Sequence, residues 1–299
     1  MKLFLAGADF RHHQEMMFMA NHPNYLTTFF KHQKGFTDSF LKWYRKTDQC
    51  GAEWIMDSGL FTMMFGAGSG ESYNEKDLLE YTYNYLNQIK KINYNHTIVE
   101  MDVHKVLGLE KLKKFRGIFE KEWDIDKTIY VWHKEEGKDG FEKLCKRYPY
   151  IAISVPELRK VLKGKNALHK TVSHMIGRAN QINPNIKIHL LGCTQQGLMV
   201  QSGYYSTDST SWMSGGRYGT GVYFDINKIQ QCSIHSNVWK KYIEEKKPTF
   251  LELRERFNIE LNTKDYNCMM YLGCVAYNKL NKYINNRHFQ GEEVKKLWK

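Results

Sequence analysis

Eight short β-prone runs, most of them separated by stretches of helical periodicity, occupy the chain from Lys2 to Asp208. The runs are Lys2–Ala6, Tyr25–Phe30, Trp54–Met56, Thr97–Met101, Thr128–Trp132, Tyr150–Ile153, Lys187–Leu191 and Tyr204–Thr207. Between them Asp38–Thr47, Asn74–Lys91, Leu109–Phe119, Gly140–Arg147 and Pro156–Ile182 read as helices. In the second of these, Leu78, Leu79, Tyr81, Leu86 and Ile89 form an apolar stripe. Strands alternating with helices imply parallel pairing through crossovers. Eight such units in this length imply an α/β fold, a (β/α)₈ barrel. Gly221–Phe224 competes with Tyr204–Thr207 for the eighth strand.

Beyond Asp225 the chain is helical in character, with Ile234–Glu245, Thr249–Arg256 and Tyr266–Ile284 as candidate helices. The expected organisation is therefore a barrel over residues 1–224 and a helical C-terminal extension over 225–299, packed on the barrel. No linker, low-complexity tract or internal repeat interrupts this pattern.

In a barrel of this kind the chemistry gathers where the strands end. Those positions hold Asp57, Asp102, His133, Ser154, Gly192 and Asp208. A single aspartate there is explained by a turn that it closes with its own side chain. Three carboxylates and a histidine on one rim point instead to a catalytic site, because like charges placed together raise one another's pKa and divide acid from base roles.

The formal charge is +12, from 44 basic and 32 acidic residues, which suits a polyanionic partner. Residues 105–170 carry much of this excess, with 17 Lys/Arg and 10 Asp/Glu. The hydrophobic fraction of 42% indicates a globular chain, and no apolar run approaches the length of a membrane span. The first seven residues are too short for a signal peptide and read as a strand, so a cytoplasmic protein is expected. The six cysteines show neither Cys-x-x-Cys nor Cys-x-Cys spacing. No metal is expected, although Cys268, Cys274 and His288 leave a zinc site open.

Several of these residues resemble a known family. Asp57-Ser58-Gly59-Leu60-Phe61 is similar to the Asp-Ser-Gly-Gly-Phe/Tyr motif of the tRNA-guanine transglycosylases. His189-Leu190-Leu191-Gly192 resembles that family's strand-seven motif, and Asp208 and Asp102 match the places of its nucleophile and its guanine-reading aspartate. The departures are Leu60 for the second glycine, His133-Lys134-Glu135 for Gln-Gly-Gly, Ile153-Ser154 for a glycine pair, and a missing Cys-x-Cys-x-x-Cys zinc motif. The pattern looks more like the divergent branch that places 7-deazaguanines in DNA, found in phages and bacterial modification clusters.

The resemblance implies base exchange at an N-glycosidic bond through a covalent aspartyl-nucleotide intermediate. Asp208 would be the nucleophile and Asp57 the general acid/base. Asp102 would accept hydrogen bonds from guanine, Ser58 and Gly59 would lend backbone N–H groups, and Phe61 would stack on the base. His133 would contact the base or assist proton transfer, Ser154 and Gly192 would complete the base pocket, and Arg217 would grip a backbone phosphate near the flipped nucleotide. The implied partners are DNA, with tRNA as the alternative, and a 7-deazaguanine base, with no cofactor and no membrane. A homodimer is among the assemblies this reading allows. A different class of function, a nucleic-acid-binding barrel without chemistry like that family's non-catalytic subunits, also fits the charge.

Overall fold

The computed structural model describes residues 1–297 apart from 66–72, 194, 201–202, 258–261 and 263–264. Eight parallel strands close into one barrel, each hydrogen-bonded to its neighbours in sequence order and the last to the first. They are β1 (Lys2–Ala6), β2 (Asn24–Thr28), β3 (Glu53–Asp57), β4 (Thr97–Val99), β5 (Thr128–Trp132), β6 (Tyr150–Ser154), β7 (Lys187–Leu191) and β8 (Ser206–Ser209). The protein is an α/β (β/α)₈ barrel.

Apolar residues on both faces of most strands give this closure its driving force, the polar β8 being the exception. Phe4, Ala6, Leu26, Ile55, Val99, Ile129, Val131 and Ala152 form a cluster of their own inside the barrel. Their alternates, among them Leu3, Leu5, Tyr25, Trp54, Met56, Ile151 and Ile188, pack outward against the helices. Strand period two thus sorts one continuous apolar run into two cores.

The helices on the outer layer begin with α1 (Arg11–Met19), α2 (Asp38–Gln49), the short α3 (Leu60–Phe65) and α4 (Glu75–Lys91). Asn74 starts α4 with a capping box: its side chain accepts from the Lys76 and Asp77 N–H groups, and Asp77 accepts from the Asn74 N–H. Then come α5 (His104–Glu122) and α6 (Gly137–Arg147). Gly108, at φ +82°, breaks the regular turn of α5, so the periodic part of that helix begins at Leu109.

The expected single helix Pro156–Ile182 is two helices, α7 (Val155–Val161) and α8 (Lys165–Ile182). Gly164 separates them at φ +91°, a conformation that ends one helix and permits a new start. A short α9 (Gln196–Val200) precedes β8. The eighth strand lies two residues later than Tyr204–Thr207, because Ser206 pairs with Lys2 of β1 and Asp208 with Phe4. Asp208 is thereby inside the strand rather than past it.

After β8 the chain forms α10 (Ser214–Tyr218), a hairpin of β9 (Thr220–Asp225) and β10 (Lys228–Ser233), α11 (Asn237–Phe257) and α12 (Tyr266–Leu297). Gly221–Phe224 is therefore a hairpin strand, antiparallel to a second strand where helical character had been expected. Helix α12 fastens over the β8–β1 seam. Asn281 accepts the Leu3 N–H at 3.1 Å, Asn278 donates to the Ala20 carbonyl at 2.8 Å, and Gly273 lies so close to the Trp212 carbonyl that no side chain fits there. Among the described residues no helix is long and apolar enough to cross a membrane.

Candidate active site

The rim at the C-terminal ends of the strands encloses a cavity of about 420 Å³. Asp57, Asp102 and Asp208 all line it, together with Ser58, Phe61, Ser154 and Gly192. Barrel closure therefore brings together carboxylates that lie 45 and 106 residues apart in the chain. Gly59, His133 and Arg217 do not line it.

Asp57 ends β3 and closes a turn on itself, its Oδ1 accepting the Gly59 N–H at 2.6 Å. Gly59 needs φ +78°, and a side chain there would collide with Phe30. This corrects the expected role of Gly59: its N–H is committed to Asp57 and shapes the site rather than meeting a base. The Ser58 carbonyl accepts from the Tyr81 hydroxyl at 2.6 Å, and Leu60, in place of a second glycine, lines the cavity. Burial pushes the Asp57 carboxyl up to about 6, and the neighbouring Asp208, Asp102 and Asp9 charges add to this while the Gly59 N–H opposes it.

Asp102 is set differently. Its Oδ1 lies 2.6 Å from His104 Nδ1 and 3.0 Å from His133 Nε2, and the two imidazoles are stacked 3.5 Å apart. Burial works to raise its pKa, but these two rings hold the carboxyl well below the usual range. The cap of α5 is Val103, so Asp102 is spared for this pairing. His133 is wholly buried behind Asp102, which corrects the expectation that it touches a base. Asp102, His104 and His133 present potential metal-ligating atoms within 4.8 Å of one another. The 2.6 Å contact is nevertheless a hydrogen bond, since two ligands at zinc bond lengths on a tetrahedral ion stay roughly 3.3 Å apart. As arranged, the two histidines keep Asp102 a fixed acceptor.

Asp208 Oδ1 accepts the Gly192 N–H at 2.7 Å and lies 3.2 Å from His189 Nε2. Gly192 adopts φ +59° with Pro156 packed where a side chain would stand. His189 Nδ1 in turn meets Ser206 Oγ at 2.7 Å, and Ser206 Oγ meets the Tyr150 hydroxyl at 2.5 Å. Sequence reasoning singled out Gly192 in the His189–Gly192 motif and passed over the histidine. The available signal was a polar ring inside an apolar strand.

Glu100 was also missed. It is fully buried at the cavity wall, accepts the Val131 N–H at 2.7 Å, and pairs with Arg116, which also holds Glu136 at 2.7 Å. Burial pushes its carboxyl upward, against the pull of Arg116. Asp9, just past β1, repeats the pattern of an acid after a strand and accepts from Thr27 and Thr28, tying the β1 loop to β2. Ser154 caps α7 by accepting the Glu157 N–H at 3.4 Å. Arg217 is exposed on α10, beyond the cavity, so its expected grip on a phosphate is not made from the cavity wall. Among the described residues, Lys105 and Lys160 are the cations that line the cavity.

Cys268 and Cys274 are both buried on α12, six residues apart and hence about 9 Å along the axis, too far to share one zinc ion. The His288 side chain lies outside the described residues.

No family model matches the chain, and no curated protein matches it. Among solved structures it is similar to the orotidine monophosphate (OMP) decarboxylase of Leishmania donovani, at 10% identity over 71% of this chain and 85% of that one, with a TM-score of 0.37. It is also similar to the carboxyl transferase domain of Rhizobium etli pyruvate carboxylase, at 10% identity over 96% of this chain and 47% of that one, with a TM-score of 0.42. At these values neither neighbour informs the chemistry of the cavity.

Proposed function

We propose that the protein is a guanine transglycosylase that exchanges guanine in DNA for a 7-deazaguanine. The observation that carries this reading is the division of labour among the three cavity carboxylates: Asp57 raised to about 6, Asp102 held ionised by two imidazoles, and Asp208 anchored through one oxygen. A proton shuttle, a base-reading acceptor and a nucleophile need those three different environments.

In the first step Asp208 Oδ2 attacks C1′, the C1′–N9 bond breaks, and Asp57 gives its proton to the departing guanine. The sugar is left as an ester on Asp208. In the second step the ionised Asp57 takes the N9 proton of the incoming deazaguanine, N9 attacks C1′, and the ester bond breaks to restore the Asp208 carboxylate. Two inversions give net retention. Asp102, with Oδ1 committed to the histidines, offers Oδ2 to the N–H groups of the base. The target base must leave the stack to enter the cavity.

The test is nucleoside analysis of DNA and tRNA from cells expressing the chain, paired with incorporation of labelled guanine by the purified protein. Label entering DNA, and not entering with Asp208→Asn, supports the reading. Label entering tRNA alone, or neither nucleic acid, rejects it.

A further inference from the structure

The strands β8, β1, β2 and β3 are consecutive around the barrel, so the loops that follow them form one continuous half of the rim. That half carries exposed aromatic rings interleaved with cations. Past β8, Tyr218 is 75% exposed beside the exposed Arg217. The ring of Tyr266, 41% exposed at the start of α12, covers Gly216 and lies 6.4 Å from the His12 ring. His12 stacks on Phe10 at 5.8 Å, and Phe10 is 45% exposed past β1. Lys31, past β2, sets its ammonium 5.9 Å from the Phe10 ring and 5.6 Å from that of Phe30. Phe30 packs on Gly59 in the Asp57 turn, and the next loop presents Phe61, 69% exposed at the cavity edge.

A soluble surface does not ordinarily keep so many large rings in water without a use for them. Their alternation with positive charge, on a chain of net charge +12, fits one partner chemistry: bases that stack on the rings and phosphates that meet the cations. Ring faces of this kind serve bases that are not already stacked in a duplex. Arg11, in the same stretch, is tied to Glu15 at 2.6 Å and is not counted among these cations. We infer that the rim from Arg217 to Phe61 is a docking track for an unpaired DNA strand leading to the cavity. The choice of DNA rests on the function proposed above, whereas the stacking track itself rests on the rim alone.

The experiment is fluorescence anisotropy with a labelled thymidine oligomer of about twelve nucleotides, the matching duplex and the matching RNA, across a salt series. The single DNA strand should bind more tightly than the duplex and at least as tightly as the RNA. Phe10→Ala and Tyr218→Ala, both at exposed positions, should each weaken it about five-fold or more. Lys31→Ala should flatten the log–log salt slope by about 0.7. Lys121→Ala, an exposed site near the far end of α5, should bind like the parent. Equal or tighter duplex binding, tighter RNA binding, or parental binding by the rim variants would overturn the inference. Because the assay involves no base exchange, strand binding without exchange counts against the proposed reaction, and exchange without rim-dependent binding counts against the track.

Discussion

His189 Nε2 and Asp208 Oδ1 lie 3.2 Å apart across adjacent strands, with Ser206 and Tyr150 continuing the hydrogen-bond chain into the barrel. A carboxylate accepts, so His189 donates from Nε2 to Asp208, and its Nδ1 shares a hydrogen bond with Ser206 Oγ. The Gly192 and His189 contacts both fall on Oδ1, so in the proposed exchange Oδ2 of Asp208 is the oxygen offered for attack. His189→Phe should lower kcat about 10- to 100-fold with KM nearly unchanged, the cost of losing a hydrogen bond to a charged group. Ser206→Ala should have a smaller effect in the same direction. Steady-state exchange kinetics would check this, and a KM effect without a kcat effect would oppose it.

In the proposed exchange Asp57 must be protonated to release guanine, and burial pushes its pKa up to about 6. Adduct formation in single turnover should therefore fall as pH rises through about 6, while the return step, which needs ionised Asp57, should gain over the same range. Asp57→Asn should remove this pH dependence and lower turnover by ~10²–10⁴-fold. Rapid-quench measurements from pH 5 to 8 would separate the two steps.

The same raised pKa has a stability consequence. The folded protein binds the Asp57 proton more tightly than the unfolded chain, so this group's contribution is most favourable below the unfolded pKa and is lost as pH rises through about 6. Asp57→Asn should therefore be more stable than the parent at pH 7, by on the order of 2–3 kcal/mol, with the gain vanishing near pH 4. Denaturant unfolding of both proteins at the two pH values would measure the difference.

An ester at Asp208 should accumulate when DNA is supplied without a good acceptor base. Peptide mass spectrometry should place the modification at Asp208. Asp208→Asn should lose adduct and exchange together, while Asp57→Asn should retain a slow adduct. An adduct mapped to Asp57 would exchange the two roles.

Arg116 joins buried Glu100 to Glu136 and the Val131 carbonyl. Arg116→Met would remove the guanidinium that opposes the upward shift of the Glu100 carboxyl, so Glu100 should take up a proton, and the unmade hydrogen bonds should cost roughly 1–3 kcal/mol of stability, read by urea denaturation. Removing both ends in Glu100→Gln/Arg116→Met should recover part of that loss.

The barrel and the rim position of its acids were legible in the chain because both follow from local pattern. Apolar runs of strand length alternate with amphipathic stretches, and Asp57, Asp102 and Asp208 each fall within three residues of the C-terminal end of such a run. The eighth strand was displaced by two residues because its register depends on hydrogen bonds to Lys2–Leu5, some two hundred residues away. The same holds for the site's finer structure. His104 meets Asp102 from two residues along the chain, but His133 reaches it only because β4 and β5 are neighbours, and His189 reaches Asp208 only through the register of β7 on β8. Glu100 meets Arg116 across a helix and a strand, and Arg217 is carried away from the cavity by the packing of α10 on α12. Side-chain periodicity specifies which face a residue takes, whereas its partners across strands are set by closure and register, which exist only in the folded chain.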